Sequence, residues 1–138
     1  MTKAKQVFEK MMQRDTFSQW LGIEPLKLDE GECHLQMTIR EEMLNGFDIL
    51  HGGVAFAFAD SALAFASNSY GRISPLINGN MVYSKSAKAG DTLRAEAKVF
   101  SISHKKADID VNIYCNDDPK PFYYMRGTVY RTSKEFDL

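Results

Sequence analysis

His51-Gly52-Gly53 and a lone acid, Asp60, set inside the apolar run Val54–Ala66, are the residues of this chain best placed to do chemistry. The run reads VAFAFADSALAFA, and only Asp60 and Ser61 in it carry polar side chains. Burying a carboxylate is costly unless it is paired or hydrogen-bonded. Desolvation also makes it more basic. Two adjacent glycines let a ligand approach the backbone without a Cβ in the way. If they open a helix, their N–H groups and the helix dipole favour developing negative charge. An anion-favouring helix start and a desolvated acid suit the attack of water, or of the acid itself, on a polarised carbonyl.

The spacing adds a constraint. Asp60 follows Gly52 by eight positions, which along one helix is roughly 12 Å. One carbonyl cannot touch both groups at hydrogen-bonding distance. If both serve one substrate, they come from different subunits. Two central helices packed antiparallel across a two-fold axis supply such a pair twice per dimer.

The elements that would hold these residues are legible in outline. Residues from about Lys3 to Arg14 place Val7, Phe8, Met11 and Met12 on one helical face. Asp15 is a candidate cap for a short second helix ending near Gly22. Pro25 starts an extended segment, and after a turn or bulge at Asp29-Glu30-Gly31 inside that strand pair, Cys33, Leu35, Met37 and Ile39 alternate with polar residues, as a half-buried strand does. A loop over 40–50 contains Asn45-Gly46. A long helix is expected from about Gly53 to Ser69, with Gly71 just beyond it. It is apolar nearly all round and rich in alanine, so it belongs at the centre of the fold. Strands are expected over 76–86, 93–99, 107–115 and 121–131, with turns at 89–91, 103–106 and 116–119. The reading is one α+β domain over 1–138: an antiparallel sheet of about five strands wrapped around one central helix, with an N-terminal helix before it.

Bulk properties exclude several classes. A chain of 138 residues with 44% hydrophobic and 25% charged residues fits one globular domain. A net charge of −1 provides no basic field for nucleic acid or an anionic membrane. Three dispersed histidines and two dispersed cysteines spell out no metal site. Cys33 and Cys115 read as buried thiols in a reducing compartment. The first residues, MTKAKQVFEKMMQRD, lack the apolar core of a signal peptide, and the 54–66 run is too short to span a bilayer. A cytoplasmic location, without membrane association, is the default.

The order of elements, together with NGFDILHGG, Asp60, ADSALAFASNSYG and SAKAGDTL, resembles the hot-dog fold thioesterases, and within them the phenylacetate-degradation (PaaI) type of acyl-CoA thioesterase. The resemblance covers almost the whole chain. It implies a homodimer with sheets joined edge to edge, paired again into a homotetramer, and hydrolysis of aryl-acetyl or short- to medium-chain acyl-CoA by water, with no cofactor. It implies Asp60 as base or nucleophile, Gly52 N–H as the donor to the carbonyl, Gly53 at the substrate beside it, and His51 and Asn45 as assisting residues. Members often carry a polar group near the attacking water on the strand after the helix; Ser74, Asn78 and Asn80 are the candidates, with Asn78 placed at the substrate. Lys85 and Lys105 are candidates for the CoA phosphates, as are Lys88 and Lys106. Two alternatives stay open. An enoyl-thioester hydratase or dehydratase needs a histidine beside Asp60. A non-catalytic acyl-CoA-binding module predicts that Asp60→Asn leaves ligand behaviour unchanged.

Overall fold

The computed structural model describes residues 1–138. Helices α1 (Lys3–Met12) and α2 (Thr16–Leu21) lead into strands β1 (Glu24–Asp29) and β2 (Glu32–Thr38). The long helix α3 (Gly52–Asn68) follows, and then β3 (Leu76–Tyr83), β4 (Thr92–Ile102), β5 (Lys106–Cys115) and β6 (Tyr123–Tyr130). The six strands form one antiparallel sheet in the order β1-β2-β4-β5-β6-β3. This is the hot-dog arrangement, a sheet curled around a central helix.

The strand count is six, where the sequence suggests about five. The addition is β1. Its side chains are almost all exposed, so it lacks the alternation that marks a half-buried strand. Proline is tolerated in it because β1 is a sheet edge with a register shift between Pro25 and Lys27. Other differences are small: α1 stops at Met12, β3 at Tyr83, and β6 is shorter than expected at both ends.

The capping expected at α2 is present. Asp15 Oδ1 accepts from Ser18 N–H at 2.9 Å, and Gly22 adopts the left-handed conformation at φ 75°. Gly71, just past α3, has φ 104°.

Helix α3 lies close to the sheet because its inward face is small. Ala55, Ala59, Ala62 and Ala66 are fully buried, as are Ala95 and Ala97 of β4, a strand packed against α3. At the other side Gly127 of β6 faces Gly79 of β3. A Cβ at Gly127 would stand 2.6 Å from Leu63 Cδ1, so this glycine admits the α3 side chain. No helix is long and apolar enough to cross a membrane.

Candidate active site

The start of α3 is built by His51. Its backbone is extended (φ −60°, ψ 131°), and its Nδ1 accepts from Gly53 N–H at 2.8 Å. The imidazole therefore caps the helix, a task usually given to Ser, Thr, Asp or Asn. With Nδ1 accepting, the proton of the neutral ring sits on Nε2. The carbonyl of the same Gly52–Gly53 peptide accepts from the Tyr83 hydroxyl at 3.1 Å. The peptide is thus held at both ends. The preceding N–H, that of Gly52, donates to no group of the chain. It is a fixed, unpaired donor at the positive end of a 17-residue helix.

Asn45 shapes the loop before it. Its Oδ1 accepts from Phe47 N–H at 2.9 Å and Ile49 N–H at 3.4 Å. The left-handed residue of this loop is Asp48 (φ 59°), not Gly46. Asn45, Gly52, Tyr83, Lys85 and Tyr123 line one cleft of about 210 Å³. Lys85 is paired there with Asp118 at 2.8 Å and lies over the Phe122 ring.

Asp60 lies elsewhere. Two turns along α3 it lines a separate cavity of about 330 Å³, walled mainly by apolar side chains including Met11, Leu63, Leu76 and Phe136. Asp60 is partly buried and accepts no hydrogen bond from the chain. Desolvation, and secondarily the charge of Asp15, hold its carboxyl above the ordinary carboxylate range. A carboxylate so placed is a better proton acceptor than one in water.

The remaining candidates divide between these places. Ser74 lines the Asp60 cavity with Asn68. Asn68 clamps the Ser74 peptide, accepting from its N–H at 2.8 Å and donating to its carbonyl at 3.2 Å. Asn78 and Asn80 are exposed on the edge strand β3, their side-chain amides 3.4 Å apart. Lys105 sits in the β4–β5 turn and lines neither cavity. His34 and His104 also lie outside both. Cys33 and Cys115 are buried and unpaired with one another. Burial pushes the Cys33 thiol up to about 12, which leaves it no role as a nucleophile. The Tyr83 anchor on Gly52 and the charge of Asp15 near Asp60 carry no signal in the sequence, because each joins segments far apart in the chain.

A family model described as the thioesterase superfamily matches residues 47–122, the stretch holding both the α3 start and Asp60. The chain belongs to the thioesterase superfamily. Among relatives of this thioesterase, the acyl-coenzyme A thioesterase PaaI of Escherichia coli is 34% identical over 129 residues, covering 94% of this chain and 91% of the relative. A protein of Archaeoglobus fulgidus described as a putative esterase is 33% identical over 132 residues, covering 96% of this chain and 85% of the relative. The structure of the E. coli PaaI protein superposes with a TM-score of 0.93 at 32% identity, over 98% of this chain and 97% of that one. TT0310 of Thermus thermophilus superposes with a TM-score of 0.82 at 33% identity, over 86% and 99%. The enzyme is accordingly a hot-dog thioester hydrolase.

Proposed function

We propose that this thioesterase hydrolyses aryl-acetyl or short- to medium-chain acyl-CoA to the free acid and CoA, in a pocket formed by two copies of the chain. The observation that carries this reading is the placement of the two reactive groups. The unpaired Gly52 N–H and the desolvated Asp60 belong to one helix but open into different cavities, roughly 12 Å apart along the axis. Neither cavity holds a complete site. Antiparallel pairing of two α3 helices sets Gly52 of one protomer against Asp60 of its partner.

The sheet supports such a pairing. Strand β3 is an edge, with Ile77 and Val82 54% and 55% exposed. Joining two β3 edges continues the sheet and covers an otherwise open row of backbone donors and acceptors. Phe47, 85% exposed beside the α3 start, gains cover in the same step. A second pairing of dimers into a tetramer belongs to the same reading.

In the proposed reaction the Gly52 N–H donates to the thioester carbonyl oxygen as it gains charge. Asp60 takes a proton from water while the water oxygen bonds to the carbonyl carbon. The tetrahedral species collapses, the C–S bond breaks, and CoA leaves as thiolate. Direct attack by Asp60, giving an anhydride that water then opens, uses the same two groups. His51 and Asn45 hold the donor end. Ser74, beside Asp60 in its cavity, is better placed to orient water than Asn78 or Asn80. The apolar walls of the Asp60 cavity suit an acyl group, and Lys85, in the Gly52 cleft, suits a CoA phosphate better than Lys105 does. The name of the E. coli relative supports acyl-CoA as the substrate class.

Thiol release over a panel of acyl-CoAs tests this reading, comparing the wild type with Asp60→Ala. The wild type is expected to release CoA from aryl-acetyl or short- to medium-chain thioesters, and the variant to lose this by a factor of about 10²–10⁴. Equal rates would remove Asp60 from the reaction.

A further inference from the structure

Asp15 does more than cap a helix. Capping α2 needs one oxygen, and Oδ1 supplies it to Ser18 N–H at 2.9 Å. The second oxygen, Oδ2, accepts from the Ser18 hydroxyl at 2.6 Å. That hydroxyl is in turn 2.9 Å from the hydroxyl of Ser61. Ser18 and Ser61 are both buried, in a contact between α2 and α3 that is otherwise free to be apolar. Ser61 is the neighbour of Asp60 in sequence. A chain of two hydrogen bonds thus fixes the Asp15 carboxylate beside the residue next to Asp60.

We propose that Asp15 is a positioning residue for this thioesterase: a second carboxylate, pinned through Ser18 and Ser61, whose fixed negative charge assists Asp60 in its role. The inference rests on the role given to Asp60 above. Around Asp60, α1 contributes Met11 to the cavity, the approach to β3 contributes Ser74 and Leu76, β6 contributes Val129 and the C-terminal stretch contributes Phe136. None of them titrates. Asp15 is the charged group that acts on Asp60, and its negative charge opposes ionisation there, in the same direction as burial. The pair keeps Asp60 more basic than desolvation alone would. The cost is repulsion between two carboxylates, which the hydrogen bonds from Ser18 prevent Asp15 from relieving by turning away.

The test separates charge from capping. Asp15→Asn and Asp15→Ser both keep a good N-cap and remove the charge. Asp15→Glu keeps the charge at the expense of the cap geometry. The readout is the carboxyl ¹³C titration of Asp60 in the full chain, assigned with Asp60→Asn, alongside the acid limb of kcat/KM for thiol release. Asp60 is expected to titrate at lower pH in both neutral variants and to return toward the wild-type position in Asp15→Glu, with the acid limb following. A cap alone would leave the titration of Asp60 unmoved in Asp15→Asn and Asp15→Ser, and that result overturns the proposal. The carboxyl titration needs no turnover, so it reads this coupling even if thiol release fails on every acyl-CoA tried.

Discussion

The hydroxyl of Tyr83 donates to the carbonyl oxygen of Gly52 at 3.1 Å, from a strand that lies 31 residues further along the chain. Together with His51 Nδ1 on Gly53 N–H, it fixes the peptide that follows the proposed oxyanion donor. Catalysis gains from donors that need no reorganisation when charge develops. Tyr83→Phe removes one anchor and keeps the ring against Tyr123. A net hydrogen bond is worth about 0.5–1.5 kcal/mol, so a fall in kcat of about 2- to 10-fold is expected. KM should change little. Steady-state kinetics on the best thioester decides it; an unchanged kcat means that the helix start holds its geometry without Tyr83.

The donor itself can be removed with little disturbance. Gly52 is the first residue of α3, where proline is favoured because that N–H has no helical partner. His51 already has the extended backbone that a following proline demands. Gly52→Pro should therefore fold and lose about 10²–10³ in kcat, the usual effect of deleting one oxyanion donor. Gly52→Ala keeps the N–H. Its Cβ would meet the Tyr83 ring at 3.3 Å, a contact an exposed side chain can relieve, so a much smaller loss is expected. Similar losses for both variants would mean that space, not the N–H, matters at this position.

Asp60 also links activity to stability. Desolvation, with the charge of Asp15, raises its folded value above the unfolded one. The folded chain then holds this proton at a pH where the unfolded chain has released it. The stabilising contribution is complete below the unfolded value and is lost as pH rises through the folded value. Asp60→Asn should consequently melt above the wild type at neutral pH, with the gap closing on acidification. Melting temperatures of both proteins across the acidic range read this directly. A variant that melts lower at every pH would show that the carboxylate is paired and stabilising.

How much of this was legible in the sequence follows from the reach of each signal. The apolar run from Val54 to Ala66 announces α3 because periodicity is local. Asp15, Gly22 and Gly71 announce helix ends for the same reason. The thioesterase reading comes from His51-Gly52-Gly53 and the acid nine positions after His51, a spacing within a single segment. Strand β1 shows in the sequence only as an extended segment from Pro25 to the turn at 29–31, without alternation, because its pairing with β2 makes it a strand while its side chains stay exposed. The imidazole cap on Gly53 is hidden because histidine is not a usual cap. Tyr83 on Gly52 and Ser18 on Ser61 span 31 and 43 residues, and no pattern in the chain pairs them before it folds.

The strongest prediction concerns where the two halves of the site come from. Asp60→Asn spoils the acid and leaves the Gly52 donor intact; Gly52→Pro does the reverse. If each site joins Gly52 of one protomer to Asp60 of the other, a mixed dimer of the two variants contains one fully wild-type site and one doubly defective site. Unfolding the variants together and refolding them gives about half mixed dimers, hence about a quarter of wild-type activity. Each variant refolded alone should stay near its own low rate. Recovery requires subunit exchange, so the same variants mixed after folding, without exchange, serve as the control. Both groups acting within one chain would give no recovery, because every chain in the mixture then lacks one of them. The roughly 12 Å between these groups on a single helix and their opening into separate cavities both favour recovery.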